Sequence, residues 1–406
     1  MDADVQALLR NTAASVPDGG LEEKLTLGRP LRVKLGLDPT APAVTLGWAV
    51  VLRKLRQFQD AGHQAVLIVG DFTTRVGDPS GRSDTRPRLT KDEIDAFAES
   101  VLQQFGRIVD MEHVELRRNS EWLEPLDMET VLRLAASTTV ARVLERDDFA
   151  KRYTEQRPIS LIEFIYPLLQ GYDSVAVEAD VELGGTDQLF NLLMGREVQR
   201  EFGQVPQVAL TTPLLEGIDG VQKMSQSLGN YVGIEDPPDE MFGKLMSIPD
   251  QLIVRYLRLC TDVPPAETDD VDSGLSSGGR LPNDEKRRLA SEVVDLYHGE
   301  GEGAAAEGRF VRVHRDQMIP DEVPTAVIPD DAVRGGRIWL PRLLVEVGLA
   351  ASNGEARRAV EQGGVKLDGD PLTEPGAELR TDELDGKVLQ VGRRRFVRLE
   401  LPPPLG

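Results

Sequence analysis

Cysteine is almost absent from this sequence of 406 residues, in which Cys260 is the only one. A single thiol excludes an internal disulfide and any metal site built from several cysteines. No stretch approaches the roughly 18 consecutive apolar residues that a membrane-spanning helix needs. The acidic N-terminus also lacks the basic and then apolar pattern of a signal peptide. These absences favour a globular protein of the reducing cytoplasm, with neither a structural metal nor a membrane as partner.

Basic residues are also few, because 47 Lys and Arg stand against 68 Asp and Glu and give a net charge of −21. Such an excess of negative charge argues against a protein that coats nucleic acid without specificity. Residues 334–398 are the exception, since they hold 12 basic and 10 acidic side chains. The C-terminal end is therefore the part that can best approach a polyanion, although an acidic protein with an ordinary tail would show the same charge.

Apolar patterns near the N-terminus predict a strand, a helix and a second strand. Leu31–Leu37 alternates apolar residues and runs into Asp38, which indicates a strand that enters a loop. Trp48–Gln59 repeats apolar residues at helical spacing. Ala65–Val69 is a short, continuous apolar run, typical of a parallel strand buried on both faces. This order makes a βαβ unit and predicts an α/β fold with a doubly wound parallel sheet.

The rest of the chain divides into helical segments, a loop, a linker and a small C-terminal segment. Helical spacing predicts helices at Lys91–Val109, Met128–Leu144, Ile159–Asp173, Leu189–Phe202 and Asp284–His298. Composition predicts a mobile surface loop at Thr261–Gly279 and a linker at Met318–Asp331, and strand-like runs follow at Val388–Val391 and Phe396–Leu401. The predicted domains are residues 1–235, 236–317 and 336–406, with residues 318–335 as the linker.

Two loops after the predicted strands carry polar residues suited to ligands. Segment 38–42 (DPTAP) and residues 45–48 (TLGW) join a strand to a helix N-terminus, whose N–H groups can hold a phosphate. An ordinary structural turn has the same pattern. Segments 70–73 (GDFT) and 77–83 (GDPSGRS) follow the next strand, where ligands bind in open α/β sheets. There, Asp78 either pairs with an amino group or caps a turn.

Two further segments carry side chains with chemistry. Tyr166, Gln170 and Asp173 share one face of a helix because they lie at positions i, i+4 and i+7. With Gln188 they can hold a small zwitterion that has a polar tip, or they form a solvated helix face. Segment 223–230 (KMSQSLGN) places a lysine beside hydroxyl residues. Such a loop suits a triphosphate, although a lone loop lysine is usually solvated.

In order and spacing these segments resemble the class I tyrosyl-tRNA synthetases. The resemblance rests on VGDFTTRVGDPSGRS, YPLLQGYDSVAVEADVELGGTDQLFNLLMGREVQR and KMSQSLGNYVGI, and it covers roughly residues 5–400. Near the C-terminus, SNGEARRAVEQGGVKLDG is similar to the S4 RNA-binding module. The resemblance implies a Rossmann-like catalytic domain, followed by a helical domain and a small α+β S4-like domain.

The resemblance also implies a two-step reaction and a set of partners. ATP, used with Mg²⁺, and tyrosine would form tyrosyl-adenylate and pyrophosphate. The tyrosyl group would then move to the 3′ end of tRNA(Tyr). The family further implies a homodimer and no metal ion held by the protein itself.

Matching the family's motifs residue by residue implies roles for individual side chains. Those along ATP are Asp38, Thr40, Gly47, Asp187, Lys223 and Ser225. Those around tyrosine are Asp78, Tyr166 and Gln170 at the amino group, Asp173 at the phenol hydroxyl, and Gln188 towards the carboxyl end. The catalytic set comprises Thr40, Thr45, Arg75 and Lys223. In the S4-like segment the RNA phosphates would meet Arg357, Arg358, Lys366, Arg393, Arg394 and Arg395.

The sequence departs from the family at the residues expected to meet the phosphates. Thr45 and Trp48 stand where the HIGH motif has histidines, and Gln226 stands where the KMSKS motif has its second lysine. Three such donors contribute roughly 6–12 kcal/mol of transition-state stabilisation, so their loss would slow the reaction by about 10⁴-fold or more. Arg75 occupies a position that is usually apolar in the family and is a candidate replacement cation.

Three functions therefore remain open at the level of the sequence. The chain is a tyrosine–tRNA ligase, a non-catalytic relative that binds tRNA or tyrosine as a regulator, or an enzyme that diverts an activated amino acid into a small-molecule product. The first predicts charging of tRNA, and the second predicts binding without release of pyrophosphate. The third predicts an altered amino-acid pocket.

Overall fold

The computed structural model describes residues 2–79, 89–314, 323–392 and 395–401. Two compact units make up the chain, Met1–Gly303 and Ala304–Gly406. Residues 236–303, predicted as part of a helical domain, belong to the same compact unit as the N-terminal sheet.

The first unit combines six strands with a series of helices. Its strands are β1 (Ala14–Val16), β2 (Arg32–Leu37), β3 (Gln64–Val69), β4 (Val114–Arg118), β5 (Val181–Gly185) and β6 (Val208–Thr212). The helices up to β5 are α1 (Asp2–Leu9), α2 (Gly20–Leu25), α3 (Leu46–Asp60), α4 (Thr73–Val76), α5 (Lys91–Phe105), α6 (Ser120–Leu123), α7 (Met128–Ala136), α8 (Val140–Val143), α9 (Asp147–Thr154) and α10 (Leu161–Ala176). Those that follow are α11 (Leu189–Glu201), α12 (Pro238–Met246), α13 (Ile253–Cys260), α14 (Pro265–Ser277), α15 (Pro282–His298) and α16 (Glu302–His314), the last of which contains the boundary between the units.

The strands form one sheet in the order β1-β6-β5-β2-β3-β4. All neighbours are parallel except the edge strand β1, which runs antiparallel to β6. From β2 the chain winds outward through β3 and β4, and then crosses back to β5 on the other side of β2. This reversal confirms the predicted doubly wound α/β fold, and it opens a crevice at the carboxyl ends of β2 and β5, where such sheets bind ligands.

The central strands and α3 supply the core that holds this edge in place. Every residue from Ala65 to Val69 in β3 is at most 1% exposed, as expected for a strand covered on both faces. The apolar residues of α3 recur at helical spacing, and Leu46, Leu52 and Leu55 are fully buried. The side chain of Thr45 caps the helix by accepting a hydrogen bond from the backbone N–H of Trp48.

Two local predictions need correction, and one strand was missed. The pattern over Met128–Leu144 is two helices, because Thr139 caps a new helix at α8. The strand β4 was not predicted. Thr261–Gly279, predicted as a mobile loop, contains the 13-residue helix α14, which starts with proline at its first position and ends at Gly278 with φ of 76°. Although the sequence of this helix is mostly polar, one of its faces is buried, and the side chains of Thr268 and Val271 on that face are fully buried.

The second unit is a small α+β structure, as predicted. Its strands are β7 (Thr325–Val327), β8 (Arg337–Trp339), β9 (Val365–Leu367), β10 (Asp370–Pro371), β11 (Glu378–Arg380), β12 (Val388–Val391) and β13 (Arg395–Glu400), and its further helices are α17 (Leu340–Glu346) and α18 (Asn353–Glu361). Five strands pair in the order β10-β9-β12-β13-β7, and β11 pairs with β8. Leucines such as Leu340, Leu343 and Leu344 pack beneath them as a common core.

The predicted linker at Met318–Asp331 is wrong from residue 325 onward. Residues 325–327 form β7, which pairs in parallel with residues 398–400 of β13. The part of the prediction at residues 318–322 lies outside the described residues. Within the described chain, no helix is long and apolar enough to cross a membrane.

Candidate active site

Polar residues from three neighbouring strand ends and from α10 meet at the crevice. Asp38 follows β2, Thr73 lies at the start of α4 just after β3, and Tyr166 belongs to α10. The hydroxyl of Tyr166 donates to Oδ2 of Asp38 at 2.9 Å, and the hydroxyl of Thr73 donates to Oδ1 at 2.7 Å. The Asp38 carboxylate, which the sequence assigned to ATP, therefore lies against the residues expected to hold tyrosine.

A second carboxylate continues this network along α10. Nδ2 of Asn119 lies 2.9 Å from Oγ1 of Thr73 and 3.3 Å from Oδ2 of Asp173. Nε1 of Trp122 donates to Oδ1 of Asp173 at 2.8 Å. Hydrogen bonds thus connect Asp38 to Asp173, whose side chain is buried.

Sequence reasoning missed Thr73, Asn119 and Trp122 as members of this site. Asn119 follows β4 directly, just as Asp38 follows β2, and β4 itself was not predicted. A strand at Val114–Arg118 is a signal that would have placed Asn119 at the same edge of the sheet, since the carboxyl ends of parallel strands meet there.

Burial changes the acidity of the groups in this network. Desolvation, together with the nearby carboxylates of Asp78 and Asp173, raises the pKa of Asp38 to about 7. Hydrogen bonds from Thr73 and Tyr166 oppose this shift. Desolvation likewise raises the pKa of Asp173 to about 6, although the charge of Lys34 opposes it. Burial holds the pKa of the Tyr166 phenol well above its usual value, so this hydroxyl stays a donor.

The remaining predicted tyrosine ligands lie at the same crevice. Nε2 of Gln188, at the start of α11, donates to Oδ2 of Asp78 at 3.0 Å. Nε2 of Gln170 donates to Oε1 of Glu182 at 3.1 Å. Oε1 of Gln170 is buried and has no hydrogen-bond partner among the residues that the structure describes. Buried polar atoms are nearly always paired, so this acceptor is suited to a ligand.

The loop that carries Lys223 is held by hydrogen bonds on both sides. Nζ of Lys223 lies 2.6 Å from Oδ2 of Asp187, which joins two of the predicted ATP ligands. The backbone N–H of Ser225 donates to Oδ1 of Asn230 at 2.9 Å. Nε2 of Gln226 donates to the carbonyl oxygen of Ala43 at 2.5 Å, which ties this loop to the segment before α3.

The first N–H groups of α3 donate within the protein, as in the structural turn that the sequence left open beside a phosphate site. The N–H of Leu46 donates to the carbonyl oxygen of Val232 at 2.9 Å. The N–H of Gly47 points to Sδ of Met224 at 3.3 Å, and that of Trp48 donates to the Thr45 hydroxyl at 3.3 Å. The segment that contains Met224 and Val232 takes up the first two groups, and the cap residue Thr45 takes up the third. Thr40 lies in the same loop as Asp38.

Arg75, the candidate replacement cation, and Trp48 are both engaged with neighbouring side chains. Nη2 of Arg75 lies 2.7 Å from Oε1 of Glu124, and its guanidinium stacks on the ring of Phe72. The ring of Trp48 packs at 6.3 Å from that of Phe105 in α5. Arg75 therefore pairs with a carboxylate at a half-exposed position instead of joining Lys223.

The second unit contains the predicted RNA contacts that the structure describes. The guanidinium of Arg357 in α18 lies 4.9 Å from the ring centre of Trp339. Nη1 of Arg395 lies 3.6 Å from Oε1 of Glu355. Arg358 belongs to α18 and Lys366 to β9. Arg393 and Arg394 lie outside the described residues.

Within its described residues, neither unit offers a metal centre built from several side chains. Across residues 2–79, 89–314, 323–392 and 395–401, no group of three or more His, Cys, Asp or Glu side chains is arranged to hold a metal ion. The crevice instead combines carboxylates, amides, a phenol and one lysine, a set that suits an amino acid beside a phosphate ester.

Comparison with known families first defines the class. Residues 26–315 match the family profile of the class I tRNA synthetases (W and Y), and residues 338–385 match that of the S4 domain. The chain is also similar to solved structures at the level of fold. The match to tyrosyl-tRNA synthetase from Archaeoglobus fulgidus, solved with L-tyrosine, covers 75% of this chain and 99% of that protein's chain. The two chains are 24% identical, and the TM-score is 0.63.

Curated relatives narrow the assignment within that class. The tyrosine–tRNA ligase of Moorella thermoacetica is 53% identical over 399 residues, which are 97% of this chain and 95% of that protein. The tyrosine–tRNA ligase of Geobacter sulfurreducens is 49% identical over 402 residues, 98% of each chain. The chain therefore belongs to the bacterial tyrosine–tRNA ligases, a family of class I aminoacyl-tRNA synthetases.

Proposed function

We propose that this chain activates tyrosine with ATP as tyrosyl-adenylate and transfers the tyrosyl group to tRNA(Tyr). One observation carries this proposal: the hydrogen-bonded network that runs from Asp38 through Thr73 and Asn119 to Asp173. Its two ends differ in chemistry. One end suits an ammonium group, and the other suits a phenol hydroxyl.

The amino end consists of carboxylates and acceptors in a desolvated place. Asp38 and Asp78 interact electrostatically with each other and with Tyr166. The charge of Asp78 disfavours ionisation of the Asp38 carboxyl, and a bound cation would relieve that repulsion. The unpaired Oε1 of Gln170 adds a neutral acceptor. The ammonium group of tyrosine would supply a positive charge for the carboxylates and an N–H donor for Oε1 of Gln170.

The phenol end is built around Asp173. Its carboxylate accepts from Trp122 and Asn119, which hold it in one orientation, and it is 3% exposed. A phenol hydroxyl can donate to the remaining acceptor positions of the carboxylate. Phenylalanine would leave this buried group desolvated and without a donor, which is the physical basis for rejecting it.

Lys223 is the cation that we assign to the phosphates of ATP. In the ligand-free chain it pairs with Asp187, at the glycine turn after β5. Mg²⁺ would enter as part of the ATP complex, because it commonly binds substrate phosphates with few protein ligands. The ribose would lie near Asp187. Ser225 and Gly47 would line the phosphates by close approach only, since their N–H groups already face Asn230 and Met224. Since its substrates include ATP and tRNA, the enzyme would work in the cytoplasm.

Tyrosine-dependent exchange of labelled pyrophosphate into ATP tests this proposal. We expect exchange with tyrosine and none with phenylalanine. Asp173→Ala should weaken tyrosine affinity at least about tenfold, because a buried charged hydrogen bond is lost. Calorimetry on this variant and on the exposed control Asp147→Ala separates a pocket effect from a general one. Unchanged affinity in Asp173→Ala would show that Asp173 does not contact tyrosine.

The acidity of Asp38 predicts how tyrosine binding depends on pH. With a pKa of about 7, Asp38 is mostly protonated at pH 6 and mostly ionised at pH 8. Binding of the ammonium group requires the ionised form, so tyrosine affinity should rise about tenfold between these pH values. Calorimetric titration with tyrosine and with 3-(4-hydroxyphenyl)propionate, which lacks the ammonium group, measures this. An equal gain for both ligands would contradict the assignment.

The raised pKa of Asp38 affects folding stability in the opposite direction, so that stability falls as pH rises. The pKa of Asp38 in the folded chain lies above its ordinary value of 3.8, so the folded state holds the proton more tightly. Its contribution to stability is full below that ordinary value and is lost as pH rises through about 7. Bound tyrosine should offset this loss, because the ammonium group stabilises the ionised carboxylate.

We assign tRNA binding to the basic residues of the second unit. The match to the S4 domain at residues 338–385 supports this assignment. Arg357, Arg358, Lys366 and Arg395 would contact phosphates, which position RNA without reading its sequence.

A homodimer is the assembly that we propose. The segment between β4 and β5 exposes large apolar side chains on several helices: Met128, Leu132, Val140, Tyr153 and Leu161 are each 62–77% exposed. We expect this segment to take part in a protein–protein contact, because large exposed apolar side chains are costly to leave in water and an interface would bury them.

A tyrosine-binding regulator without catalysis is the second candidate. It is favoured by the contacts of Thr45, Trp48 and Gln226, since each is engaged within the protein. This candidate predicts normal tyrosine affinity together with no pyrophosphate exchange.

A further inference from the structure

A buried ion pair lies beside the proposed tyrosine site. Lys34 of β2 and Glu182 of β5 are 0% and 1% exposed, and Nζ lies 2.9 Å from Oε1. Taking two charges out of water is costly, and apolar residues of similar volume often stabilise a fold as well or better. Stability alone therefore does not account for this pair.

All the donors of this lysine are used. Besides Glu182, Nζ donates to the carbonyl oxygen of Gln170 at 2.9 Å and to the hydroxyl of Ser174 at 2.8 Å. The ammonium group has three N–H donors, so it is fully satisfied. It neutralises the carboxylate, which otherwise would itself attract the ammonium group of a substrate.

Glu182 in turn directs the amide of Gln170. Oε1 of Glu182 accepts from Nε2 of Gln170 at 3.1 Å, while Oε2 accepts from Ser174 and Gln207. A carboxylate only accepts, so a flipped Gln170 amide would set two oxygens against each other. The amide nitrogen therefore faces Glu182. Oε1 of Gln170 is left buried, without a partner among the residues that the structure describes.

We propose that Lys34 and Glu182 are positioning residues, which fix the Gln170 amide so that its oxygen accepts from the ammonium group of tyrosine. This inference rests on the proposed function, since it assigns the tyrosine ammonium to Gln170. Neither residue touches the substrate. The charges of Lys34 and Glu182 act on the pKa of Asp173 in opposite directions, so variants that remove both charges at once leave the amide as the main route of their effect. That effect is confined to ligands that carry an amino group.

Two double variants isolate the hydrogen bond from the charges. Lys34→Met with Glu182→Met removes the ion pair and the acceptor for Nε2 of Gln170. Lys34→Met with Glu182→Gln removes the charges but keeps a side-chain oxygen as acceptor. Neither leaves an unpaired buried charge, and apolar replacement of a buried pair is commonly tolerated. Thermal unfolding of both variants checks that they fold.

We expect the first variant to raise Kd and KM for tyrosine about tenfold to a hundredfold, the range for one hydrogen bond to a charged group. The second should recover most of the affinity. KM for ATP should not change in either. Tyramine, which keeps the ammonium group, should lose the same factor, whereas 3-(4-hydroxyphenyl)propionate should lose none.

Several results would overturn the inference. These are equal losses in the two variants, equal losses for ligands with and without an amino group, or no loss at all. Gln170→Met is a further check that does not alter the ion pair. It should lose as much affinity as the first variant, and combining the two should cost no more, because both remove one contact. If the native chain itself bound no tyrosine, the proposed function would fail instead.

Discussion

Pyrophosphate exchange should rise by at least about 10²-fold in a variant that combines Thr45→His, Trp48→His and Gln226→Lys. One preorganised donor aimed at developing charge contributes about 10²–10³ in rate, and such donors act mainly in the transition state. In the native chain none of the three side chains is available, since they cap α3, pack on Phe105 and bind the carbonyl oxygen of Ala43. Exchange rates at saturating tyrosine and ATP measure the gain.

Two controls accompany this variant. Its tyrosine affinity should stay the same, because the tyrosine network uses other residues. Arg75→Ala in the native background tests the alternative that Arg75 is the replacement cation. We expect no loss there, since Arg75 pairs with Glu124. If Arg75→Ala abolished exchange and the triple variant added nothing, Arg75 would be the replacement cation. No exchange in any of these proteins would favour the regulator.

A chain that ends at His314 is expected to bind tRNA at least about a hundredfold more weakly than the full chain. The removed part carries six predicted phosphate contacts, and each phosphate contact adds to affinity through release of counterions. The cut precedes β7 because this strand pairs with β13, and a cut at residue 332 would leave it without its partner. Filter binding over a series of salt concentrations measures both the affinity and its salt dependence.

Tyrosine affinity provides the internal control for this truncation. All residues of the proposed tyrosine site lie within Met1–Gly303, so calorimetry should give the same affinity for both chains. The dependence of tRNA binding on salt should also become shallower, because fewer phosphates are neutralised. Full tRNA affinity in the shortened chain would show that the second unit does not contribute to tRNA binding.

Much of the fold was predictable because the signals are local. Leu31–Leu37 and Ala65–Val69 became β2 and β3 within one residue, since the apolar run that identifies a buried strand is contained in the strand itself. Val388–Val391 matched β12 in full. In contrast, α14 was missed at Thr261–Gly279, because its few buried residues do not form a strong apolar pattern. There, packing decides in favour of a helix over a weak intrinsic preference.

The residues of the candidate site were likewise predictable only where their signal is local in the sequence. Spacing along one helix was enough to place Tyr166, Gln170 and Asp173 on a common face. Their partners come from elsewhere in the chain, because Asn119 and Trp122 precede Asp173 by 54 and 51 residues. Such pairings depend on how the strands are ordered in the sheet, which a local pattern does not contain.

The sequence by itself therefore determined the class of fold, the family and the residue types available for tyrosine and ATP. It also identified the three departures from the family, since each is a matter of residue identity at a position in a motif. Only the tertiary structure decided which of these groups are free to act. The N–H groups of α3 are taken up by Val232 and Met224, and the amide of Gln170 is oriented by Glu182. The reason is that a hydrogen bond forms between groups that folding brings together, whatever their separation along the chain.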